Sequence, residues 1–212
     1  MKFSAFKSLS SALKEFQLYY KEDEFIQPLE FIVSDYFRSD LQIVMDQGVV
    51  TNSEFAICEN LVYPILKEVW KCYADKFVIW SHQYLTDGND LEGFPEYILA
   101  KKSDLGKIVF DRPFLLLVEA KQDNFDAAWG QCLAEMIVAQ RLNQEQQVPV
   151  FGIASNGIIW QFSKLVDKSF LLNHKFYTIQ ELDRLFAAVN YVFSECHKIL
   201  NYVPYSPIGS SS

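Results

Sequence analysis

Apolar side chains recur at helical spacing through residues 3–20 and again through 28–47, where Leu29, Ile32, Val33, Tyr36, Phe37 and Leu41 share one face. Two amphipathic helices are predicted there, separated by the polar run KEDE and by Pro28. A third helical stretch, TNSEFAICENLVYPILKEVWKCY, offers Ser53 as its N-cap and continues a buried face through Leu61, Ile65, Leu66 and Val69. Pro64 is expected to kink or split it, because proline lacks a donor and crowds the preceding turn. Past residue 76 the period changes to two. KFVIWSHQYL, FPEYILA and RPFLLLVEAK read as strands, with a turn at TDGNDLEG and a charged loop KKSDLGKIVFD between them. A long helix is predicted from about 126 to about 144. It is followed by a hairpin, VPVFGIA and IIWQFSKL, on a two-residue Asn156-Gly157 turn suited to positive φ. A strand near 169–176 and a closing helix over about 179–200 complete the pattern, and 203–212 reads as a loose tail.

Helices alternating with strands and no internal repeat or linker imply a single α/β domain spanning 1–212. A helical N-terminal layer (1–48) precedes an α/β core (50–200), with a mixed central sheet flanked by helices. The chain is 50% hydrophobic, enough at 212 residues for a substantial core. No run of eighteen apolar residues appears and the N-terminus does not read as a secretory signal, so no membrane partner and a cytoplasmic location are expected. Cys58, Cys72, Cys132 and Cys196 show no CxxC spacing and are expected to be reduced, packed thiols. The net charge of −8 repels phosphate backbones at long range, so nucleic-acid binding would need a local basic surface, a metal or a partner protein.

The candidate chemistry sits at the end of the most apolar strand. In FLLLVEAK, Glu119 and Lys121 are two residues apart and therefore point to one side of the sheet. Burying either charge alone costs several kcal/mol (about 1.4 kcal/mol being tenfold in an equilibrium), so something must compensate. Glu96, directly after Pro95 on the neighbouring strand, and Glu54, opening the preceding helix, are the candidates to converge on Lys121. Carboxylates with one lysine suit a hard divalent cation held by oxygen ligands.

The spacing of GFPEYILA and VEAK, about twenty residues apart, resembles the signature of the PD-(D/E)xK, or restriction-endonuclease-like, nuclease superfamily. SEFAICENLVYPIL looks like the helix that precedes that core, with Glu54 ten residues before Pro64; AWGQCLAEM resembles the helix after the E-x-K strand; VPVFGIASNGIIWQF is similar to the hairpin that follows. The match covers roughly residues 50–165 and looks closest to small stand-alone prokaryotic proteins. It implies a restriction-endonuclease-like core and metal-dependent hydrolysis of nucleic acid, with DNA the expected substrate. On that resemblance Glu54, Glu96 and Glu119 bind Mg²⁺ or Mn²⁺, Lys121 assists the attacking water, and Gln131 faces the site. The first acid is normally Asp, and Glu96 moves the carboxylate by one methylene, which bears on octahedral Mg²⁺ geometry. Asp90 and Glu92 in the nearby turn are alternatives to it.

Other readings stand beside this one. Gln131 and Glu135, one turn apart, also fit a solvated helix face, and Glu54 is favoured in a first helical turn whatever its role. Lys101, Lys102 and Lys107 form the one local concentration of positive charge near the motif; they are either nucleic-acid contacts or ordinary solvated lysines. His82, His174 and His197 form no ligand pattern. No phosphate loop, dinucleotide or serine-hydrolase motif occurs. The alternative to an enzyme is a catalytically inert module of the same fold, using its 16% aromatic content in a homodimer or against an unidentified protein partner.

Overall fold

The computed structural model describes residues 1–88 and 90–202. The tail assigned to 203–212 lies outside the described residues. The protein is α/β, built on a mixed sheet whose strand order is β1-β9-β8-β7-β6-β5-β2, with β10 pairing β8. These strands are β1 (Tyr19–Asp23), β2 (Phe77–Ser81), β5 (Tyr97–Lys102), β6 (Phe110–Ala120), β7 (Val150–Ser155), β8 (Ile159–Val166), β9 (Ser169–Asn173) and β10 (Tyr177–Thr178). A small separate ribbon pairs β3 (Leu85–Thr86) with β4 (Glu92–Gly93). In the sheet only β6–β7 and β1–β9 run parallel. The helices are α1 (Leu9–Phe16), α2 (Asp35–Gln47), α3 (Glu54–Ile57), α4 (Tyr63–Trp70), α5 (Phe125–Asn143) and α6 (Leu182–Tyr202).

The two faces of the sheet carry separate cores. On one, α4, α6 and the turn joining α3 to α4 pack Leu61, Ile65, Phe186 and Phe193 over Val118, Ile153 and Phe162. On the other, α1 and α5 cover Ile98, Leu117, Val150 and Leu165 with Trp129, Leu133 and Met136. Period-two alternation therefore sends β6 side chains to different layers, and both faces must be apolar, as in a buried central strand. α5 is the crossover between parallel β6 and β7. It is buried on nearly all sides, and its Gly130 lets α1 approach: a Cβ there would lie 2.7 Å from the Ser8 carbonyl oxygen. Asn143, at the end of α5, uses its amide like a backbone unit: Nδ2 donates to the Phe114 carbonyl (2.9 Å), and Oδ1 accepts from its N–H (2.8 Å).

Four expectations are corrected. The helix predicted over 3–20 is a 3-10 turn at Phe3–Ala5 and the short α1, stopped by Gln17 in the left-handed region (φ 54°), after which residues 19–23 become edge strand β1. The helix predicted over 28–47 starts only at Asp35, capped by Ser34 Oγ, which accepts from the Phe37 N–H (3.2 Å). Ahead of it the chain is extended, because the Leu29 N–H donates to Ala187 O (2.9 Å) and Asn190 Nδ2 holds the carbonyls of Leu29 and Glu30. The β7–β8 connection runs through residues 156–158. Only Gly157 in it has positive φ (84°), while the Asn156 side chain accepts from the N–H groups of Ile158 and Ile159. Around Pro64 the helix does not break. A π turn, Cys58–Val62, lies between α3 and α4 and places the proline in the first turn of α4, where its missing N–H matters least.

The thiols are free; Cys58, Cys132 and Cys196 are buried as expected, and Cys72 is exposed. No helix among the described residues is long and apolar enough to cross a membrane.

Candidate active site

The C-terminal ends of the parallel pair β6 and β7 form the floor of the site, the usual place for chemistry in an open α/β sheet. Glu119 pairs in register with Ala154, and the Lys121 N–H extends the ladder by one bond to Ser155 O (3.0 Å). Glu119 follows Leu117 on the α5 side of the sheet, and its side chain is 0% exposed. Lys121 Nζ lies 2.7 Å from Glu119 Oε1 and 2.9 Å from Glu54 Oε2. Glu54 reaches this amine from the first residue of α3, whose start is fixed by Ser53 Oγ accepting from the Ala56 N–H (3.1 Å).

Burial pushes the Glu119 carboxyl up to about 8, against the pull of Lys121, and the charges of Glu96 and Glu54 add to the rise. Burial also works against the Lys121 ammonium, but Glu119 and Glu54 outweigh it and hold the amine charged above the usual lysine range. With one cation in contact with both carboxylates, the ionised pair is the arrangement the geometry favours. Glu119 Oε2 nevertheless has no partner.

Glu96 stands just before β5 and turns its Oε2 to His82 Nε2, at 2.7 Å, an ion pair when the imidazole is protonated. The Cys58 thiol donates to the same oxygen (3.4 Å). His82 follows β2 with a left-handed φ of 50° and donates its N–H to Glu96 O (3.1 Å), which brings the two side chains face to face. Ser81 Oγ lies 2.8 Å from Nδ1 of His82, and the Phe55 ring stacks on the imidazole, centroids 5.8 Å apart. Next to Glu96, burial and then the Glu96 charge raise the Cys58 thiol far above its ordinary range.

Gln131 enters from α5 through an intermediary. Its Nε2 donates to Glu135 Oε1 (3.1 Å), and Glu135 is fully buried with Oε2 unpartnered. Burial, followed by the charge of Glu119, drives the Glu135 carboxyl well above its ordinary range, so this acid holds its proton. Glu54, Glu119 and Lys121 are thus in direct contact. Glu96 is near enough for Glu119 to feel its charge, and Gln131 meets the cluster through Glu135.

The lysines at the far end of β5 and in the loop after it are not brought to the cluster. Tyr97 pairs with Ser81 at the site end of β5, but Lys101 pairs with Phe77, four residues further along. At ~3.3 Å per residue Lys101 is about 16 Å from Glu96 along the strand. Lys101 faces Asp104 (3.7 Å), Lys102 donates to Ala74 O (3.4 Å), and Lys107 lies in the same remote loop. Glu92 is engaged elsewhere, accepting from the Tyr84 hydroxyl (2.6 Å), and the Asp90 backbone carbonyl accepts from the N-terminal amine.

His82, Cys58 and Glu135 are members of the site that sequence reasoning missed. A signal existed for Glu135, since AAWGQCLAEMIVA is apolar around the whole helix and leaves no solvated face. No sequence signal existed for His82.

The donors are carboxylates, whose oxygens match a hard dication, and the orphaned Oε2 of Glu119 is a free ligand atom. Among the described residues no three His, Cys, Asp or Glu side chains are assembled to hold a metal ion as they stand. Lys121 fills the space between Glu54 and Glu119 and balances charge that a metal would otherwise meet, and the His82 ring engages Glu96. Compared with known proteins, the chain matches no family model and no curated protein sequence.

Proposed function

We propose that the chain is a metal-dependent phosphodiester hydrolase acting on DNA, with a restriction-endonuclease-like core. One observation carries the reading: a fully buried glutamate at the end of a central strand, shared with Glu54 through Lys121 and keeping one oxygen unpartnered. A buried ion pair gives little net stability, and an orphaned carboxylate oxygen gives none, so the arrangement makes sense as chemistry. Glu119, Glu96 and Glu54 would hold Mg²⁺ or Mn²⁺. When bound, such an ion polarises a phosphoryl oxygen and acidifies the attacking water. Lys121 orients that water for in-line attack and offsets negative charge that builds on the phosphate oxygens. Gln131 steadies Glu135, whose retained proton spares Glu119 a second negative neighbour.

The second reading, an inert interaction module, is favoured by Glu96 being engaged by His82 and Cys58 rather than free. The exposed Ile32, Tyr36 and Ile43 would supply an interface for a second copy or another protein. Incubation of purified protein with plasmid and with single-stranded DNA in Mg²⁺ or Mn²⁺ separates the two. Nicking or degradation is expected, and Lys121→Ala should slow it by about 100-fold or more. Equal cleavage by Lys121→Ala would exclude this site, and no cleavage by the wild type would favour the module.

A further inference from the structure

Two cavities adjoin the cluster, and each presents an exposed aromatic ring within two residues of a site acid. One, of about 320 Å³, is lined by Phe55, Cys58, Tyr63, His82 and Tyr97 and meets the cluster at the partners of Glu96. Phe55 follows Glu54 directly, is 67% exposed, and lies flat against His82 with 26° between the rings. Behind them Tyr63 and Tyr97 stack at 5.6 Å. The other cavity, of about 360 Å³, is lined by Lys2, Ser4, Tyr84, Phe94 and Gln131 and meets the cluster at the partner of Glu135. Phe94 is two residues before Glu96, is 60% exposed, and leans on Tyr84 with centroids 5.3 Å apart. Both rings lie open to water beside the polar cluster, where a flat partner could stack on them.

The charge around the site limits what could use these rings. A duplex binds mainly through lysines and arginines that neutralise its phosphates. Here the chain carries net charge −8, Lys121 is tied between two carboxylates, the loop lysines lie at the far end of β5, and Lys2 is the one lysine or arginine among the described residues lining the two cavities. Stacking of bases on aromatic rings provides affinity that does not depend on phosphate neutralisation, and it requires bases that are not paired. Taking the hydrolytic reading as its basis, we infer that the substrate is single-stranded DNA, with bases flanking the scissile phosphate stacked on Phe55 and Phe94. The phosphate is thereby carried to Glu119 and Lys121 by ring contacts in place of a basic groove. Paired bases in a duplex cannot present their faces to either ring.

The test measures fluorescence anisotropy of a labelled oligonucleotide and of its blunt duplex, with Ca²⁺ present, alongside cleavage of both in Mn²⁺. The single strand should bind at least tenfold more tightly than the duplex, with weak dependence on salt. Phe55→Ala and Phe94→Ala should each lower single-strand affinity by about tenfold, within the usual range for one stacked base. Phe55→Trp should restore it, which a merely disturbed fold would not allow. Equal or tighter binding of the duplex, no binding of the single strand, or unchanged affinity in both alanine variants would overturn the inference. Cleavage restricted to duplex would sink it while leaving the hydrolytic reading intact. Ring-dependent single-strand binding without any cleavage would uphold the stacking surface and remove the hydrolase.

Discussion

Glu135 is the residue whose behaviour follows most directly from its surroundings. Its carboxyl is fully buried, receives one hydrogen bond from Gln131, and is pushed well above its ordinary value of 4.5, first by burial and then by Glu119. The sign of the consequence is fixed. Above that ordinary value the unfolded chain releases this proton while the folded chain keeps it, so stability falls as pH rises. One such group contributes a slope of about 1.4 kcal/mol per pH unit until the folded carboxyl itself ionises. Urea denaturation of the wild type should therefore show lower stability at pH 8 than at pH 5. Glu135→Gln should shrink the difference by about 2 kcal/mol or more; an unchanged difference would mean that the carboxyl is ionised in the folded protein.

At the scale of elements, α5 does two jobs. It crosses from β6 to β7, and it delivers Gln131 and Glu135 to the site from a helix buried almost throughout. Its closeness to α1 depends on Gly130, where a Cβ would meet the backbone oxygens of Ser8 and Phe6 at 2.7 and 2.8 Å. Those atoms belong to main chain and cannot rotate away. Gly130→Ala should lose about 1–2 kcal/mol in denaturant titrations, overpacking outweighing the better helix propensity of alanine. A stabilised variant would show that α1 is free to retreat. Elements with two apolar faces or a strong periodic face were legible in the sequence: β5, β6, β7, β8, α5 and α6 fall close to where the pattern puts them. Strand β1 was not, because all five of its residues are exposed and YYKED carries no alternation to read. The extended run before Asp35 was not legible either. Its backbone partners, Ala187 and Asn190, are more than 150 residues away, and local periodicity cannot see them.

Across the whole molecule, the sheet converts distance along the chain into position in ways that work for one part of the site and against another. Glu119 and Lys121 were readable because strand geometry fixes neighbours at i and i+2. The meeting with Glu54, 67 residues away by the contact with Lys121, was one candidate among the acids, and no local pattern fixes it. His82 reaches Glu96 by a left-handed backbone turn at the end of β2, which no local pattern announces. The loop lysines show the reverse error: close in sequence to Glu96, they are carried away from it by the length of β5. What remains around the carboxylates is an acidic, aromatic-rimmed cluster on an acidic chain, with Lys121 between Glu54 and Glu119 and His82 on Glu96. The central claim is that Glu54, Glu96 and Glu119 serve together to hold a hard dication. Calorimetric titration of the wild type and of Glu119→Gln with Mn²⁺ tests it most directly. A saturable binding heat in the wild type that vanishes in Glu119→Gln is the predicted result; no heat up to millimolar metal, or the same heat in both proteins, would contradict it.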